Sequence, residues 1–257
     1  MSATSNFPVV FRVVDIIPQS DSAETDQNSE PSIAVNPVKP AQMLAGTFGD
    51  GVPPFFISTN GGTTWSIFGT LFNNDKSIAW KVDGSAVLVA TMIGLPNFGP
   101  INTHSAFTQL NNYVGSNLND QPWIRTGPSN RVYVAFNDLG RTIGNGGNGG
   151  TASVNVSTDG GSNYAPPVRL DRVGAAAGQD DPAVRVAVNG SRVYAVFDRW
   201  TSTLESRSAN EARFNSQLVV VRSDNGGMDG FTALGPGGNG ATAATHRACS
   251  PTHKTQF

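Results

Sequence analysis

The chain has 257 residues, of which 38% are hydrophobic and only 14% are charged, and its formal net charge is −2 at pH 7. This balance excludes nucleic acid and anionic membrane surfaces as partners, because both require concentrated positive charge. The single cysteine excludes a disulfide framework and a thiolate metal cluster, and no apolar run is long enough to predict insertion into a membrane.

Short runs of β-branched and aromatic residues predict strands along the whole chain, each bounded by Gly, Pro, Asn or Asp. The 29 glycines and 16 prolines interrupt nearly every candidate helix. In chain order, the predicted strands are residues 9–17, 55–58, 86–91, 131–136, 152–157, 192–197 and 217–222. The sequence therefore predicts an all-β fold.

A phrase recurs in which an acidic residue, usually with a proline just after it, opens one apolar strand and is followed by a second strand. Its copies open at Glu30, Asp75, Asp120 and Asp181. The proline position is filled by Pro31, Lys76, Pro122 and Pro182, at spacings of 45, 46 and 60 residues. Repeats of this length are typical of a β-propeller with one repeat per blade. We expect the innermost strands, facing one axis, to be residues 33–35, 78–80, 123–125 and 184–186.

A second phrase, with a serine, two glycines and an aromatic residue, closes most of the repeats. Its positions are Ser58, Asn60, Gly62 and Trp65 in the first copy, Ser157, Asp159, Gly161 and Tyr164 in the second, and Asp224, Gly226 and Phe231 in a looser third. The phrase resembles the Asp box, or BNR repeat, which marks the blades of sialidase-like propellers. The resemblance implies a β-propeller of four-stranded antiparallel blades, of which four are recognisable and a partial fifth is an open alternative.

The Asp-box residues have a structural explanation. The Asp or Asn side chain is expected to accept hydrogen bonds from backbone N–H groups of a tight turn. The glycines adopt positive φ without steric cost, the serine hydroxyl holds the other arm of the turn, and the aromatic ring packs against the sheet. We therefore predict that these residues are structural and not catalytic.

The repeats divide the chain into three parts: residues 1–29 as an N-terminal strand and linker, residues 30–234 as the blades, and residues 235–257 as an irregular Gly-rich tail. The 76 residues after Asp181 are fewer than a six-bladed ring requires. The sequence thus predicts a truncated member of its family, or an incomplete ring that another chain completes. The N-terminus lacks the basic and apolar regions of a signal peptide, whereas the resemblance favours a secreted or extracellular protein.

The strand order separates the two rims of the predicted propeller. Each Asp box ends the third strand of its blade, so it lies on the same rim as the turn between the first and second strands. The opposite rim carries the residues that enter the first strand and the loops between the second and third strands. Because loops on a rigid scaffold carry most binding sites, we expect the function on this opposite rim, which is also where the resemblance implies an active site.

Acidic, arginine and aromatic residues gather on that rim. The strand entries contribute Glu30, Asp75, Asp120, Asp180 and Asp181, and the loops contribute Asp50, Asn137, Asp138, Arg141, Asp198, Arg199, Trp200, Glu205, Arg207, Glu211 and Arg213. These residue types suit a hydroxyl-rich ligand, so the predicted partner is a carbohydrate or glycoconjugate. The alternatives are that the entry acids cap turns and that the loop with Arg199 and Trp200 is merely solvated.

Several arginines are specific candidates for binding this ligand. Arg125 and Arg185 occupy equivalent positions in successive innermost strands, where each either contacts a ligand in the channel or forms a salt bridge to an entry carboxylate of the neighbouring blade. Arg12, in Phe11-Arg-Val-Val, resembles the first arginine of the sialidase triad. The predicted ligand-binding set is completed by Asp138, Asp198, Arg199 and Trp200.

The resemblance also implies a sialidase mechanism, in which a Tyr–Glu pair is the nucleophile and an aspartate is the acid/base. Asp50 is the candidate acid/base by its location, and Glu205 is the candidate partner of a tyrosine. No tyrosine fits this role: Tyr133 and Tyr194 lie mid-strand, Tyr164 belongs to an Asp box and Tyr113 lies on the other rim. We therefore predict carbohydrate recognition. The alternatives are an exo-α-sialidase-type glycoside hydrolase and a non-catalytic adhesion or protein-interaction scaffold.

No cofactor or metal site is predicted. His104, His246 and His253 lack the spacing of metal ligands. The aspartates of the functional rim could hold calcium, but no loop has a recognisable ligand pattern.

Overall fold

The computed structural model describes most of the chain between residues 29 and 234. The described residues are 13–14, 16, 29–48, 53–71, 75–92, 99–106, 108–139, 142–143, 147–148, 151–170, 184–201, 213–234 and 243–249. All of the regular structure in these residues is strand, as predicted. They contain no helix that is long and apolar enough to cross a membrane.

The strands group into antiparallel sheets that we number as blades 1 to 4. Blade 1 consists of β1 (Ser29–Val35), β2 (Met43–Phe48), β3 (Pro54–Ser58) and β4 (Ser66–Thr70). Blade 2 consists of β5 (Lys76–Trp80), β6 (Val87–Met92), β7 (Gly99–Ser105) and the first part of β8 (Thr108–Thr126). Blade 3 consists of the second part of β8, β9 (Val132–Asp138), β12 (Thr151–Ser157) and β13 (Val168–Arg169), with a small hairpin of β10 (Thr142–Ile143) and β11 (Gly147–Asn148). Blade 4 consists of β14 (Arg185–Asn189), β15 (Arg192–Thr201), β16 (Arg213–Ser223) and β17 (Thr232–Ala233), with β18 (Ala243–Cys249) also on β16. The predicted β-propeller of four-stranded antiparallel blades is confirmed.

The long strand β8 joins blades 2 and 3 into one hydrogen-bonded sheet. Its first part pairs with β7, where Asn111 lies opposite Thr103, and its second part pairs with β9, where Trp123 lies opposite Ala135. Register shifts interrupt both pairings, so the strand bends as it passes from the outer edge of one blade to the inner edge of the next.

The innermost strands of blades 1, 2 and 3 are linked by serine hydroxyls. The Ser32 Oγ accepts a hydrogen bond from the Ile78 N–H (3.1 Å), and the Ser77 Oγ accepts one from the Ile124 N–H (3.0 Å). Ser32 and Ser77 hold the same position in their repeats, one residue after the proline position. The expected innermost strands therefore lie in successive blades and contact one another sideways, rather than pairing within one sheet.

Apolar side chains between neighbouring blades form three buried clusters. Because side chains alternate along a strand, one face of each sheet packs against the next blade, and each fully buried Phe or Ile contributes about 1.5–3 kcal/mol. The clusters include Phe55, Ile78 and Val89 between blades 1 and 2, Ile101, Ile124 and Phe136 between blades 2 and 3, and Tyr133, Phe197 and Phe231 between blades 3 and 4.

The turns after β3 and β12 carry the phrase that resembles an Asp box. The Asp159 carboxylate accepts from the Asn163 N–H (2.9 Å), and the Ser157 Oγ accepts from the Gly161 N–H (2.9 Å). Ser58 and Asn60 make the same bonds, to the N–H groups of residues 62 and 64. The glycines of both turns have positive φ, between 71° and 96°.

These turns lie beside the turns between the first and second strands. The first glycine of the phrase donates its N–H to a carbonyl of that neighbouring turn in three blades. The pairs are Gly61 with Ala41 (2.9 Å), Gly160 with Asn130 (2.8 Å) and Gly226 with Ser191 (2.7 Å). We call this side of the propeller the turn rim and the opposite side, where the innermost strands begin, the entry rim.

The third copy of the phrase needs a correction of one residue. The Ser223 Oγ accepts from the Gly227 N–H (2.9 Å), as Ser157 does from Gly161. Asn225 therefore holds the place of Asp159, and Gly226 holds the place of Gly160. The Asp224 carboxylate instead pairs at the surface with Arg222 (3.0 Å) and Arg192 (3.5 Å). Asp224 was aligned with Asp159 because Asp224 and Asn225 are adjacent, and either residue type can occupy this position of the turn.

The aromatic ring of the phrase is buried to different depths. Phe231 is 3% exposed in the cluster between blades 3 and 4, and Tyr164 packs against the cluster between blades 2 and 3. Trp65 is half-buried and donates from Nε1 to the Gly62 carbonyl of its own turn (3.1 Å). The other two rings pack against the preceding blade, and the described residues place no blade before blade 1. The predicted packing is therefore weakest at Trp65.

The tail differs from the expectation of an irregular segment, because Ala243–Cys249 forms β18. This strand pairs with β16, where Phe214 lies opposite Ala248. β17 pairs with β16 only at Val221 and Arg222. The rest of that edge of β16 has backbone donors and acceptors that β17 does not reach, and β18 pairs with them. Such an edge can pair with a strand of weak side-chain pattern.

Candidate functional site

A cavity of about 260 Å³ opens on the entry rim, where the innermost strands of all four blades meet. We call it the entry cavity, and it is lined by Glu30, Pro31, Ser32, Asp75, Lys76, Gln121, Pro122, Trp123 and Arg185. Two residues predicted for this rim, Glu30 and Asp75, and the predicted channel arginine Arg185 therefore line one cavity. Lys76, Gln121 and Trp123 were not singled out as site residues.

Backbone bulges shape the mouth of the cavity. Glu30 and Gln121 have φ values of 51° and 50°, each just before a proline, and the register of β1 and of β8 shifts at these points. Left-handed backbone is strained for residues other than glycine, and such strain is common at functional sites. The two residues hold equivalent positions in blades 1 and 3.

The same bulge corrects the expectation for Asp120. Gln121, not Asp120, stands before the proline in the position of Glu30 and lines the cavity. The Asp120 carboxylate accepts a hydrogen bond from the Gln121 N–H (2.9 Å). Asp120 therefore caps the bulge, which was the structural alternative for the entry acids.

Lys76 occupies the proline position of blade 2 and is 8% exposed. Its Nζ donates to the carbonyls of Thr47 and Pro53 (both 3.2 Å) and lies 5.0 Å from the centre of the Phe55 ring. Burial lowers the pKa of Lys76 from 10.5 to about 8, because the ammonium loses contact with water. The side chain thus links the innermost strand of blade 2 to the neighbouring strands of blade 1 beside the cavity.

Trp123 brings the two predicted channel arginines together. The guanidinium carbons of Arg125 and Arg185 each lie 4.3 Å from the centre of its ring. Each guanidinium also donates to the carbonyl of the preceding residue, Ile124 (2.7 Å) or Val184 (3.1 Å). Burial and, to a lesser extent, the nearby Arg185 charge lower the pKa of Arg125. The arrangement is a cation–π stack, and Arg185 within it lines the entry cavity.

The remaining predicted ligand-binding residues lie elsewhere or are not described. Asp138 is fully buried at the end of β9 and is not part of the cavity lining. Asp198, Arg199 and Trp200 belong to β15, where their backbones pair with Leu218, Gln217 and Ser216. The expectation of a loop at Arg199 and Trp200 is therefore wrong, because β15 continues to Thr201 before it ends. Outside the described residues lie Arg12, Asp50, Arg141, Asp180, Asp181, Glu205, Arg207 and Glu211.

The entry cavity therefore combines acceptors and donors suited to a polar ligand. Carboxylates of Glu30 and Asp75 offer acceptor oxygens, and the Lys76 ammonium and Arg185 guanidinium offer donors. Within the described part of the chain, no group of three or more His, Cys, Asp or Glu residues is placed to hold a metal ion. The chemistry that these residues support is hydrogen bonding and proton transfer by carboxyl groups.

Solved structures similar to this chain share its fold at low sequence identity. They include the α-L-arabinofuranosidase Arb93A from Fusarium graminearum, with 11% identity, a TM-score of 0.53, and coverage of 76% of this chain and 62% of that chain. A GH43_12 protein from a capybara gut metagenome has 12% identity, a TM-score of 0.51, and coverage of 82% and 42%. Levansucrase from Bacillus subtilis has 10% identity, a TM-score of 0.52, and coverage of 90% and 76%.

The chain thus spans less than two thirds of the length of the first two of these proteins. No family model matches the chain, and a search of curated proteins finds no match. At these identities the similarity shows the propeller fold alone.

Proposed function

We propose that this protein is a carbohydrate-binding propeller whose ligand occupies the entry cavity. The observation that carries the proposal is the meeting of four innermost strands around a cavity with two carboxylates, Glu30 and Asp75, and two cations, Lys76 and Arg185. Sugar hydroxyls are both donors and acceptors, so they match a cavity with both kinds of partner. The names of two similar structures, an arabinofuranosidase and a levansucrase, agree with a glycan-related role.

The blades are, on this proposal, Asp-box blades of a sialidase-like propeller. The hydrogen bonds of the turns at Asn60 and Asp159 support this assignment, since they tie a serine hydroxyl, a side-chain oxygen and two glycines into the same turn in two blades. A sialoside is therefore one of the ligands to be tested. The candidate residues for sialidase chemistry, Asp50 and Glu205, remain predictions.

Glycoside hydrolysis is the second candidate function, and the two carboxyl groups of the cavity favour it. Glycoside hydrolases commonly place two carboxyl groups beside the bond to be cleaved, one as acid and one as base or nucleophile. Glu30 and Asp75 are the two carboxyl groups that line this cavity. A binding protein and an enzyme would use the same cavity and differ in turnover.

The experiment is a glycan array, run beside a panel of fluorogenic glycosides that includes a sialoside and an arabinofuranoside. Wild type is compared with Glu30→Gln and Asp75→Asn, and Asp224→Asn on the turn rim is the matched control. Glu30→Gln suits the strained backbone, because Gln121 already occupies the equivalent position.

We expect wild type and Asp224→Asn to bind one glycan class, and both cavity variants to bind it at least tenfold more weakly, as for loss of a charge-assisted hydrogen bond. Turnover by wild type that both cavity variants lose would assign an enzyme. Binding without turnover would assign a lectin. No binding by any form would refute the glycan proposal and leave the adhesion or interaction scaffold.

A further inference from the structure

A second cavity lies on the same axis, nearer the turn rim, and differs in character from the entry cavity. It measures about 310 Å³, and we call it the channel groove. Its lining consists of Ile33, Ala34, Val35, Pro37, Ile78, Ala79, Trp80, Val82, Arg125 and Thr126. Among these residues, Arg125 supplies the charge and almost all of the others are apolar.

Three apolar residues in the wall of the groove are exposed. Ile33 is 60% exposed, Val35 is 47% exposed and Val82 is 48% exposed. Ile33 and Val35 belong to the innermost strand of blade 1, and the innermost strand of blade 2 contributes Ile78 and Trp80 to the same surface. Clustered exposed apolar residues cost free energy in water, and they commonly mark binding surfaces.

Arg125 gives this surface a charge preference. Its guanidinium stacks on Trp123 and donates to the Ile124 carbonyl, while the second guanidinium of Arg185 lies over the same ring. The two like charges disfavour each other, and partial burial removes part of the water that would screen them. An anion in the groove would offset both effects and accept a charge-assisted hydrogen bond from Arg125.

We propose that the channel groove is a binding site for a small organic anion with an apolar body, such as an aryl or alkyl carboxylate, whose anionic group contacts Arg125. The volume lies at the lower end of that of ordinary small-molecule sites, which suits a ligand with one ring or a short chain. A glycan fits poorly, because apolar walls leave its hydroxyl groups without partners. The proposal is separate from the glycan proposal and does not rest on it.

The groove and the entry cavity are nonetheless in contact through Trp123. Arg125 lines the groove, Trp123 and Arg185 line the entry cavity, and both guanidiniums touch the one ring. An anion bound at Arg125 reduces the repulsion that Arg185 experiences. Coupling between two sites is reciprocal, so a ligand in one cavity should change the affinity of the other.

Calorimetric titration with 4-phenylbutyrate and its neutral amide, 4-phenylbutyramide, tests the proposal. The two ligands have the same apolar body and differ in charge. Wild type should bind the carboxylate about tenfold to a hundredfold more tightly than the amide. Arg125→Gln should abolish this preference, whereas Arg192→Gln, at an exposed ion pair in blade 4, should retain it.

Ile33→Ser separates the apolar contribution from the charge. Ile33 is largely exposed, so this variant should fold, and it should weaken both ligands by a similar factor, roughly threefold to tenfold. Equal binding of the two ligands to wild type, no binding of either, or a preference that survives in a folded Arg125→Gln would overturn the proposal. It would also be overturned if sedimentation showed that a second copy of the chain covers the groove and excludes both ligands.

Discussion

Lys76 carries a positive charge in a place where three other blades have proline. Its ammonium is buried, and burial lowers its pKa from 10.5 to about 8. Between these two pH values the unfolded chain binds a proton that the folded chain does not. The free energy of unfolding therefore rises with pH in this window. The full gain in stability is reached only above the pKa of the unfolded chain, where the lysine is neutral in both states.

The corresponding prediction compares Lys76→Met with wild type by urea denaturation below pH 8 and near pH 10. Wild type should gain stability relative to the variant as the pH rises, because only wild type loses the cost of a buried charge. Lys39→Met, at an exposed position, controls for the removal of a lysine. A stability difference between wild type and Lys76→Met that is the same at both pH values would contradict this interpretation.

Asp159 and Asp224 test the corrected alignment of the turns that resemble Asp boxes. Asp159 accepts hydrogen bonds from the Asn163 side chain (2.6 Å), the Asn163 N–H (2.9 Å) and the Ser157 hydroxyl (2.8 Å), and these bonds hold its pKa at about 2. Asp159→Ala should cost about 1–2 kcal/mol, as for the loss of a cap. Asp224→Ala should cost about 0.5 kcal/mol or less, because surface ion pairs contribute little. Equal shifts of the denaturation midpoint would contradict the assignment of Asp159 to the turn and of Asp224 to a surface ion pair.

At the scale of the elements, the turn between β5 and β6 packs against the turn that follows β1. Gly84 has a φ of 68°, and a Cβ there would lie 2.4 Å from the Asn36 Oδ1. Asn36 is fully buried, and its Oδ1 already accepts from the N–H groups of Val38 (3.0 Å) and Lys39 (3.1 Å). The contact joins blades 1 and 2 at the turn rim.

Gly84→Ala should therefore destabilise the protein more than Gly190→Ala does. Gly190 has a similar φ of 61°, but a Cβ there meets nothing within 4 Å. Both substitutions carry the backbone cost of a left-handed alanine, about 1 kcal/mol. Gly84→Ala should lose a further 1–3 kcal/mol or so, as the Asn36 hydrogen bonds break. Thermal and urea denaturation of both variants measure the difference. Equal losses of stability would exclude a stabilising contact between Gly84 and Asn36.

Strands with a clear residue pattern could be predicted from sequence. Strands that form because a neighbouring strand offers an edge could not. β3, β12 and the first part of β15 follow runs of β-branched and aromatic residues, and their predicted bounds differ from the structure by a residue or so. β18 has a weak pattern and exists because β16 offers it an edge. The extension of β15 through Arg199 and Trp200 likewise depends on β16 as a partner, which local composition does not reveal.

Across the whole molecule, the sequence repeat indicated three of the residues that line the entry cavity, but not the rest of its lining. Glu30, Asp75 and Arg185 were found by their equivalent positions. Gln121 was missed because a bulge shifts the register by one residue, and such shifts leave little trace in sequence. Trp123 was missed because it stands where blades 1 and 2 have serine. The signal that the sequence offered was that Trp123 differs from the residues at the equivalent positions of the other repeats. Lys76 offered the same signal, because it stands where the other repeats have proline.

If the ligand binds on the axis at the entry rim, the indole N–H signals of the tryptophans will report it. The chain has 4 tryptophans, of which Trp123 lines the entry cavity and Trp65 lies on the turn rim. A ¹⁵N-labelled sample, assigned with Trp→Phe variants, is titrated with the strongest ligand from the glycan array. We expect a saturable shift of the Trp123 signal, with the Trp65 signal unchanged. A saturating ligand that shifts Trp65 and leaves Trp123 unmoved would contradict it.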